Sequence, residues 1–227
     1  MILLLPSELA KKQLYGAPLQ FAHLKVKLRT LEGTGGLRWS ISVTKQLLNE
    51  AALSDFEDYI REIPNFPKKG IGFKDITPLL RNGLVFREVV NRIAEHCEEA
   101  QLNPSVVACP EARGFIFGSA LAYRLGAGFV PIRKPGKLPY NVAKVEYELE
   151  YGTDTVEMHV DAVELDQRVL LVDDLLATGG TIDACVKLLQ SSRATIVGCA
   201  FLVELDFLGG RERLGDLPVI SLVRYAE

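Results

Sequence analysis

From residue 50 onward, short β-branched apolar runs alternate with stretches in which apolar residues recur at helical spacing. The runs at 105–109, 128–133, 169–173, 195–203 and 219–223 predict strands, because each is brief, apolar and bounded by polar or turn-forming residues. Helices are predicted over 84–101, where Val85, Val89, Ile93 and Cys97 share one face, and over 115–125 and 181–191. A further helix is predicted over 54–62, opened by Ser54-Asp55 with Glu57 in its first turn. Strands and helices in alternation imply an α/β fold with a mostly parallel central sheet flanked by helices, since parallel neighbours need a crossover between them. One stretch breaks this rhythm. Between 134 and 160, Val145, Tyr147 and Leu149 alternate with polar neighbours, as do Val156, Met158 and Val160, about Tyr151-Gly152-Thr153-Asp154. That pattern predicts a β-hairpin, and such an excursion from an α/β domain is a candidate lid.

Composition divides the chain near residue 50. Residues 1–49 hold seven Lys/Arg and two Asp/Glu, against 19 and 27 in the remainder. The first segment has no sustained period and carries Gly33-Thr34-Gly35-Gly36, so 1–49 reads as a leader, flexible or a mis-assigned start, and 50–227 as the domain. A basic, acid-poor start also suits a transit peptide, but three serines in 49 residues are sparse for that class. The net charge of −3 argues against a nucleic-acid or membrane partner, which would need a basic field. Ile2–Leu5 is far too short to span a bilayer. Cys97, Cys109, Cys185 and Cys199 are scattered and lack a CxxC pair, which predicts free core thiols in a reducing cytoplasm. His96 and His159 share no metal-ligand spacing and read as surface residues.

The candidate chemistry begins at Val169-Leu170-Leu171-Val172-Asp173-Asp174, which runs into Leu175-Leu176-Ala177-Thr178-Gly179-Gly180-Thr181 and then a helix. Ala177, Thr178, Gly179, Gly180 and Thr181 can wrap amides and hydroxyls around a phosphate at a helix N-terminus, where negative charge is favoured. Two carboxylates beside a phosphate repel it unless a cation or hydroxyls stand between them. A ribose diol and Mg²⁺ supply both. A second strand-to-helix loop, Pro110-Glu111-Ala112-Arg113-Gly114, offers Arg113 as an always-charged fork for the other end of a diphosphorylated substrate. Arg133, Lys134 and Lys137 add positive charge around Pro135-Gly136.

The strand, acid pair and Thr-Gly-Gly-Thr loop resemble the signature of the type I phosphoribosyltransferases, which bind phosphoribosyl pyrophosphate (PRPP). The resemblance implies that fold, with the loop on the 5′-phosphate, Asp173 and Asp174 on the ribose, and Mg²⁺ held mainly through PRPP. It narrows to the adenine phosphoribosyltransferases through Phe66-Pro67-Lys68-Lys69-Gly70-Ile71-Gly72-Phe73-Lys74-Asp75, Glu111-Ala112-Arg113-Gly114-Phe115, Arg133-Lys134-Pro135-Gly136-Lys137 and Leu149-Glu150-Tyr151-Gly152, in that order. This implies conversion of adenine and PRPP to AMP and pyrophosphate by a homodimer. It implies adenine flanked by Gly72, Phe73 and Lys74 and closed in by Leu205. It also implies Arg113 at the base and pyrophosphate junction, Arg133, Lys134 and Lys137 on pyrophosphate, and Glu150 as the acid of the lid. A non-proline cis peptide at Glu111–Ala112 follows from the same resemblance. Two alternatives stand beside this reading: a transferase for 6-oxopurines (hypoxanthine, guanine or xanthine), and a PRPP-sensing transcription regulator, for which the leader's charge is the only support.

Overall fold

A computed structural model describes residues 55–149 and 152–227, together with the backbone of 27–31 and 38–42. The chain divides into two compact units, Met1–Asp55 and Phe56–Glu227. In the first, β1 (Lys27–Leu31) pairs antiparallel with β2 (Arg38–Ser42), Lys27 opposite Ser42. The remainder of the 1–49 leader, with its Gly-rich stretch, lies outside the described residues.

The second unit opens with one 3-10 turn, Phe56–Tyr59. It continues into β3 (Arg61–Pro64), antiparallel to β4 (Gly72–Asp75) with Ile63 opposite Phe73. The helix predicted over 54–62 is therefore a short turn and a strand, and its expected cap Ser54 lies outside the described residues. A tertiary partner decides this: Arg61 reaches across the pair to Asp75 at 2.6 Å, and Pro64 cannot supply the amide a continuing helix needs. Next come α1 (Thr77–Arg81) and α2 (Gly83–Glu99). Asn82 caps α2 by accepting from the Leu84 and Val85 amides at 3.1 and 3.3 Å.

From β5 (Val106–Pro110) through α3 (Gly114–Leu125), β6 (Gly128–Ile132), the hairpin β7 (Val142–Leu149) and β8 (Gly152–His159), β9 (Arg168–Leu176), α4 (Gly180–Ser191), β10 (Thr195–Leu205) and β11 (Val219–Tyr225), the predicted alternation holds. Five of these strands form one sheet in the order β11-β10-β9-β5-β6, every pair parallel. Successive side chains of a strand leave opposite faces. Val107, Cys109, Leu170, Val172, Ala200 and Leu202 accordingly join α2 and α3 in one core, while Val106, Ala108, Val169, Leu171, Cys199 and Phe201 join α4 and the hairpin in the other. The four cysteines are buried and free, as expected.

The hairpin is displaced from its predicted centre. Leu149 pairs with Gly152 and Tyr147 with Asp154, so Gly152, Thr153 and Asp154 lie inside the ladder, and residues 150 and 151 lie outside the described residues. Val156 and Met158 are buried, but Val160, expected to alternate with them, is 50% exposed because β8 ends at His159. His159 itself is half-buried rather than at the surface, edge-on to Tyr140, with its Nε2 enclosed and unpartnered.

Phe201, fully buried on a central strand, tests this two-core arrangement. Phe201→Ala is expected to cost about 3–5 kcal/mol through lost burial and a residual cavity. At ~2–4 °C per kcal/mol for a domain of this size, that lowers the melting midpoint by roughly 6–20 °C in a calorimetric scan.

Candidate active site

β5 and β9 lie side by side, Ala108 opposite Leu171, and each strand delivers a loop to the same end of the sheet. The loop after β5 leads into α3 and the loop after β9 leads into α4. Across the gap Arg113 Nε bonds Asp174 Oδ2 at 2.9 Å. The loops enclose a cavity of about 190 Å³ lined by Glu111, Ala112, Arg113, Arg133, Lys134, Asp173, Asp174 and Thr181 over a floor that includes Ile132 and Val156. The Glu111–Ala112 peptide is cis, as the resemblance implied.

Burial dominates the acid pair. It pushes the Asp173 carboxyl well above the usual carboxylate range, and the adjacent Asp174 charge pushes the same way. Asp174 is raised too, by burial, against the opposing pull of Arg113. The Asp174 amide donates to Asp173 Oδ1 at 2.9 Å. Gly114, the first residue of α3, lies so close that a Cβ there would meet the same oxygen at 2.9 Å. A side chain at 114 would also press on the Val172 carbonyl oxygen at 3.1 Å, so this close approach depends on glycine.

Opposite the acids, Glu111 organises the cations. One of its oxygens accepts from Arg133 Nε and Nη2 at 3.0 and 2.9 Å, the other from Lys137 Nζ and the Lys134 amide at 2.7 and 2.8 Å. Burial would raise this carboxyl, but the Lys137, Lys134 and Arg133 bonds outweigh it and hold it at about 2. Lys134 turns its ammonium the other way, donating to Tyr147 at 2.9 Å and to Asp154 in a short ion pair. The Tyr147 hydroxyl also lies 3.3 Å from Thr181 Oγ1. The hairpin, the basic turn and the N-terminal end of α4 thus share one polar network. Glu150 lies outside the described residues.

The remaining predicted residues stand around this centre. Ala177, Thr178, Gly179 and Gly180 form the turn into α4, with Thr178 exposed and Gly179 left-handed at φ 79°. The Arg113 guanidinium lies 5.6 Å from the Phe73 ring centroid, which brings the β3–β4 hairpin to the rim, and Phe66 packs edge-on to Phe73 at 5.1 Å. Lys74 directs its ammonium to Glu62 at 2.8 Å and sits over the Tyr225 ring at 3.9 Å. Gly72, Lys74 and Leu205 are not among the residues lining the cavity. Leu205 is buried at the end of β10.

Sequence reasoning gave no role to Glu111, Tyr147, Asp154 or the pair Glu204–Arg211. Glu204, 2% exposed, holds Arg211 at 2.8 and 2.5 Å and pairs in the sheet with Leu176. Glu111 stood inside a quoted motif, but the partners of Glu111 and Asp154 are 20 or more residues away, and no periodic signal marks the pair Glu204–Arg211 seven residues apart.

The Phosphoribosyl transferase domain model matches residues 76–215. An adenine phosphoribosyltransferase of Dichelobacter nodosus is 54% identical over 170 residues, covering 75% of this chain and 98% of that protein. One from Trichormus variabilis is 55% identical over 171 residues, covering 75% and 99%. Among solved structures, the Thermoanaerobacter pseudethanolicus enzyme superposes with a TM-score of 0.72 at 52% identity, covering 78% of this chain and 99% of that one. The Saccharomyces cerevisiae enzyme, complexed with an imino-altritol bisphosphate and adenine, gives 0.73 at 39% identity, covering 76% and 99%.

The Glu111 geometry sets a pH dependence. Its folded value, about 2, lies below its ordinary 4.5, so the carboxylate adds stability that is present above pH 4.5 and is lost as pH falls toward 2. Glu111→Gln removes that contribution. The variant is expected to melt lower than the parent at pH 7 and to lose less stability than the parent between pH 4.5 and 2, in thermal melts across that range.

Proposed function

The chain belongs to the adenine phosphoribosyltransferases, and from that premise we propose how its own residues convert adenine and PRPP to AMP and pyrophosphate in purine salvage. The observation that carries the assignment is Arg113, whose guanidinium touches Asp174 on one side and the Phe73 ring on the other. One side chain spans a ribose site and a base site. PRPP lies with its 5′-phosphate on the amides and hydroxyls of Ala177–Thr181 at the start of α4, where the N-terminal dipole favours an anion. Its ribose hydroxyls donate to Asp173 and Asp174. Its pyrophosphate reaches Arg113, Arg133, Lys134 and Lys137.

Adenine enters between Phe73 and Leu205 and pairs its edge with backbone groups of Gly72 to Lys74, because the Lys74 ammonium is already engaged by Glu62 and Tyr225. The purine N9 attacks the anomeric carbon from the face opposite pyrophosphate. Positive charge grows on the ribose as negative charge grows on the leaving oxygens, and the chain's part is to position the two reactants and to stabilise that charge. Arg133 and Lys137 are held by Glu111 before substrate arrives, so little reorganisation is needed when the charge develops. The hairpin excludes water and brings Glu150 to the imidazole side of the base, where its carboxyl exchanges a proton with a ring nitrogen.

Two carboxylates at the cavity are a donor set that suits a hard cation shared with phosphate oxygens. Among the described residues there is no cluster of three or more His, Cys, Asp or Glu to cage an ion alone. Mg²⁺ carried mainly by PRPP, within reach of Asp173 and Asp174, would offset charge on the departing pyrophosphate. We further propose a cytoplasmic homodimer. No described helix is long and apolar enough to cross a membrane. We also propose that 1–49 is a leader dispensable for catalysis, because the curated relatives are covered almost whole by three quarters of this chain.

Three results are expected. Turnover assays across adenine, hypoxanthine, guanine, xanthine and 2,6-diaminopurine should give kcat/KM for adenine about 10⁴-fold above hypoxanthine, since a 6-oxo group sets acceptor against acceptor. A preference for hypoxanthine would defeat the base assignment. Glu150→Gln should lower kcat by about 10²–10⁴-fold with the KM for PRPP nearly unchanged, and parental turnover would remove Glu150 from the chemistry. A chain starting at residue 50 should fold and keep the parent's kcat, measured beside its melting curve.

A further inference from the structure

Behind the phosphate loop the backbone of another segment makes contact with no room for a side chain. A Cβ on Gly179 would stand 2.7 Å from the Gly210 carbonyl oxygen, and a Cβ on Gly210 would stand 2.1 Å from the Ala177 oxygen and 3.0 Å from the Gly179 nitrogen. Gly210 begins a 3-10 turn, Gly210–Leu214, whose far end is anchored by Leu214, buried in the second core. Arg211 anchors the near end. Its Nε and Nη2 clasp the two oxygens of Glu204 at 2.8 and 2.5 Å, and its remaining donors reach the Val219 carbonyl at 3.3 Å and the Ser221 hydroxyl at 3.4 Å on β11. Arg224 brings a second cation to the same carboxylate at 3.7 Å and ties Asp206 at 3.0 Å. Glu204 pairs in the sheet with Leu176, the residue before Ala177.

A buried ion pair is a weak source of stability, because desolvating both charges offsets their attraction. Its geometric specificity is another matter. A two-pronged guanidinium on a carboxylate fixes position and orientation together. We propose that Glu204 and Arg211 are positioning residues that press Gly210 against the back of Ala177–Gly180, so that the loop's amides stay convergent on the 5′-phosphate of PRPP. Neither residue touches substrate. The inference rests on the reading of Ala177–Thr181 as the phosphate site. It adds a support that lies some thirty residues further along the chain, across α4 and β10.

The test separates support from general damage and from failure of the underlying reading. Removing Arg211 alone leaves the buried Glu204 carboxylate with only Arg224 nearby at 3.7 Å, so the informative variant is Glu204→Gln/Arg211→Gln, which removes both charges of the pair and the fork together. It is expected to melt as a folded protein, with the KM for PRPP raised about tenfold or more and with kcat and the KM for adenine within about threefold of the parent. Gly210→Ala should show the same split, and Arg211→Lys, which retains one charged donor, should recover part of the loss. A folded double variant with the parent's KM for PRPP, or one in which both KM values rise equally, would overturn the proposal. Thr181→Val checks the reading beneath it. If that variant raises the KM for PRPP and the double variant does not, the support is wrong and the phosphate site stands. If Thr181→Val leaves the KM for PRPP unchanged, the phosphate reading falls first and the support with it.

Discussion

The parallel pairing of β5 with β9 is the constraint on which the site depends. β6 lies on one side of this pair and β10 and β11 on the other, so the chain reverses its direction of travel across the sheet between them. Parallel strands point their carboxyl ends the same way, and at a reversal the two following loops diverge to leave a crevice. Here those loops carry Arg113 and Asp174, which meet across it at 2.9 Å. The two cores beneath, one on each sheet face, hold the strands in register and so hold the crevice at a fixed width.

Electrostatics within that crevice depends on pairing more than on net charge. The chain is acidic overall, yet Arg113, Arg133, Lys134 and Lys137 converge at one end of the sheet. Each is met by an acid: Asp174, Glu111, Asp154 and Glu111 again. Each pairing fixes its cation's position, with all four cationic side chains still a third to a half exposed.

Glycine supplies the complementary device, close approach. Gly114 lets α3 close on the Asp173 carboxylate, and Gly210 lets a distant turn touch Ala177 and Gly179. The hairpin reaches the same place by another route, burying Val156 and Met158 in the second core while Tyr147 meets Thr181. The loops after β5 and β9 are therefore braced from several sides by elements distant in sequence.

The sequence by itself determined the alternation of strands and helices, the free buried cysteines and the strand, turn and helix order of 169–191, because these rest on local periodicity and on residue types that only one backbone geometry suits. Val169–Thr181 is legible as strand, acid pair and helix-capping turn without any partner. Only the tertiary structure decided the fate of 54–62, where Asp75 across a hairpin outweighs a local helix signal, and the register of the β7–β8 hairpin, which takes Gly152-Thr153-Asp154 into its ladder against their turn signal. It alone brought Glu111 to Arg133, Lys134 to Asp154, and Glu204 to Arg211. The physical reason is common to all three: a charged side chain is satisfied by whatever the fold brings within about 3 Å, and nothing in its near sequence records which residue that will be.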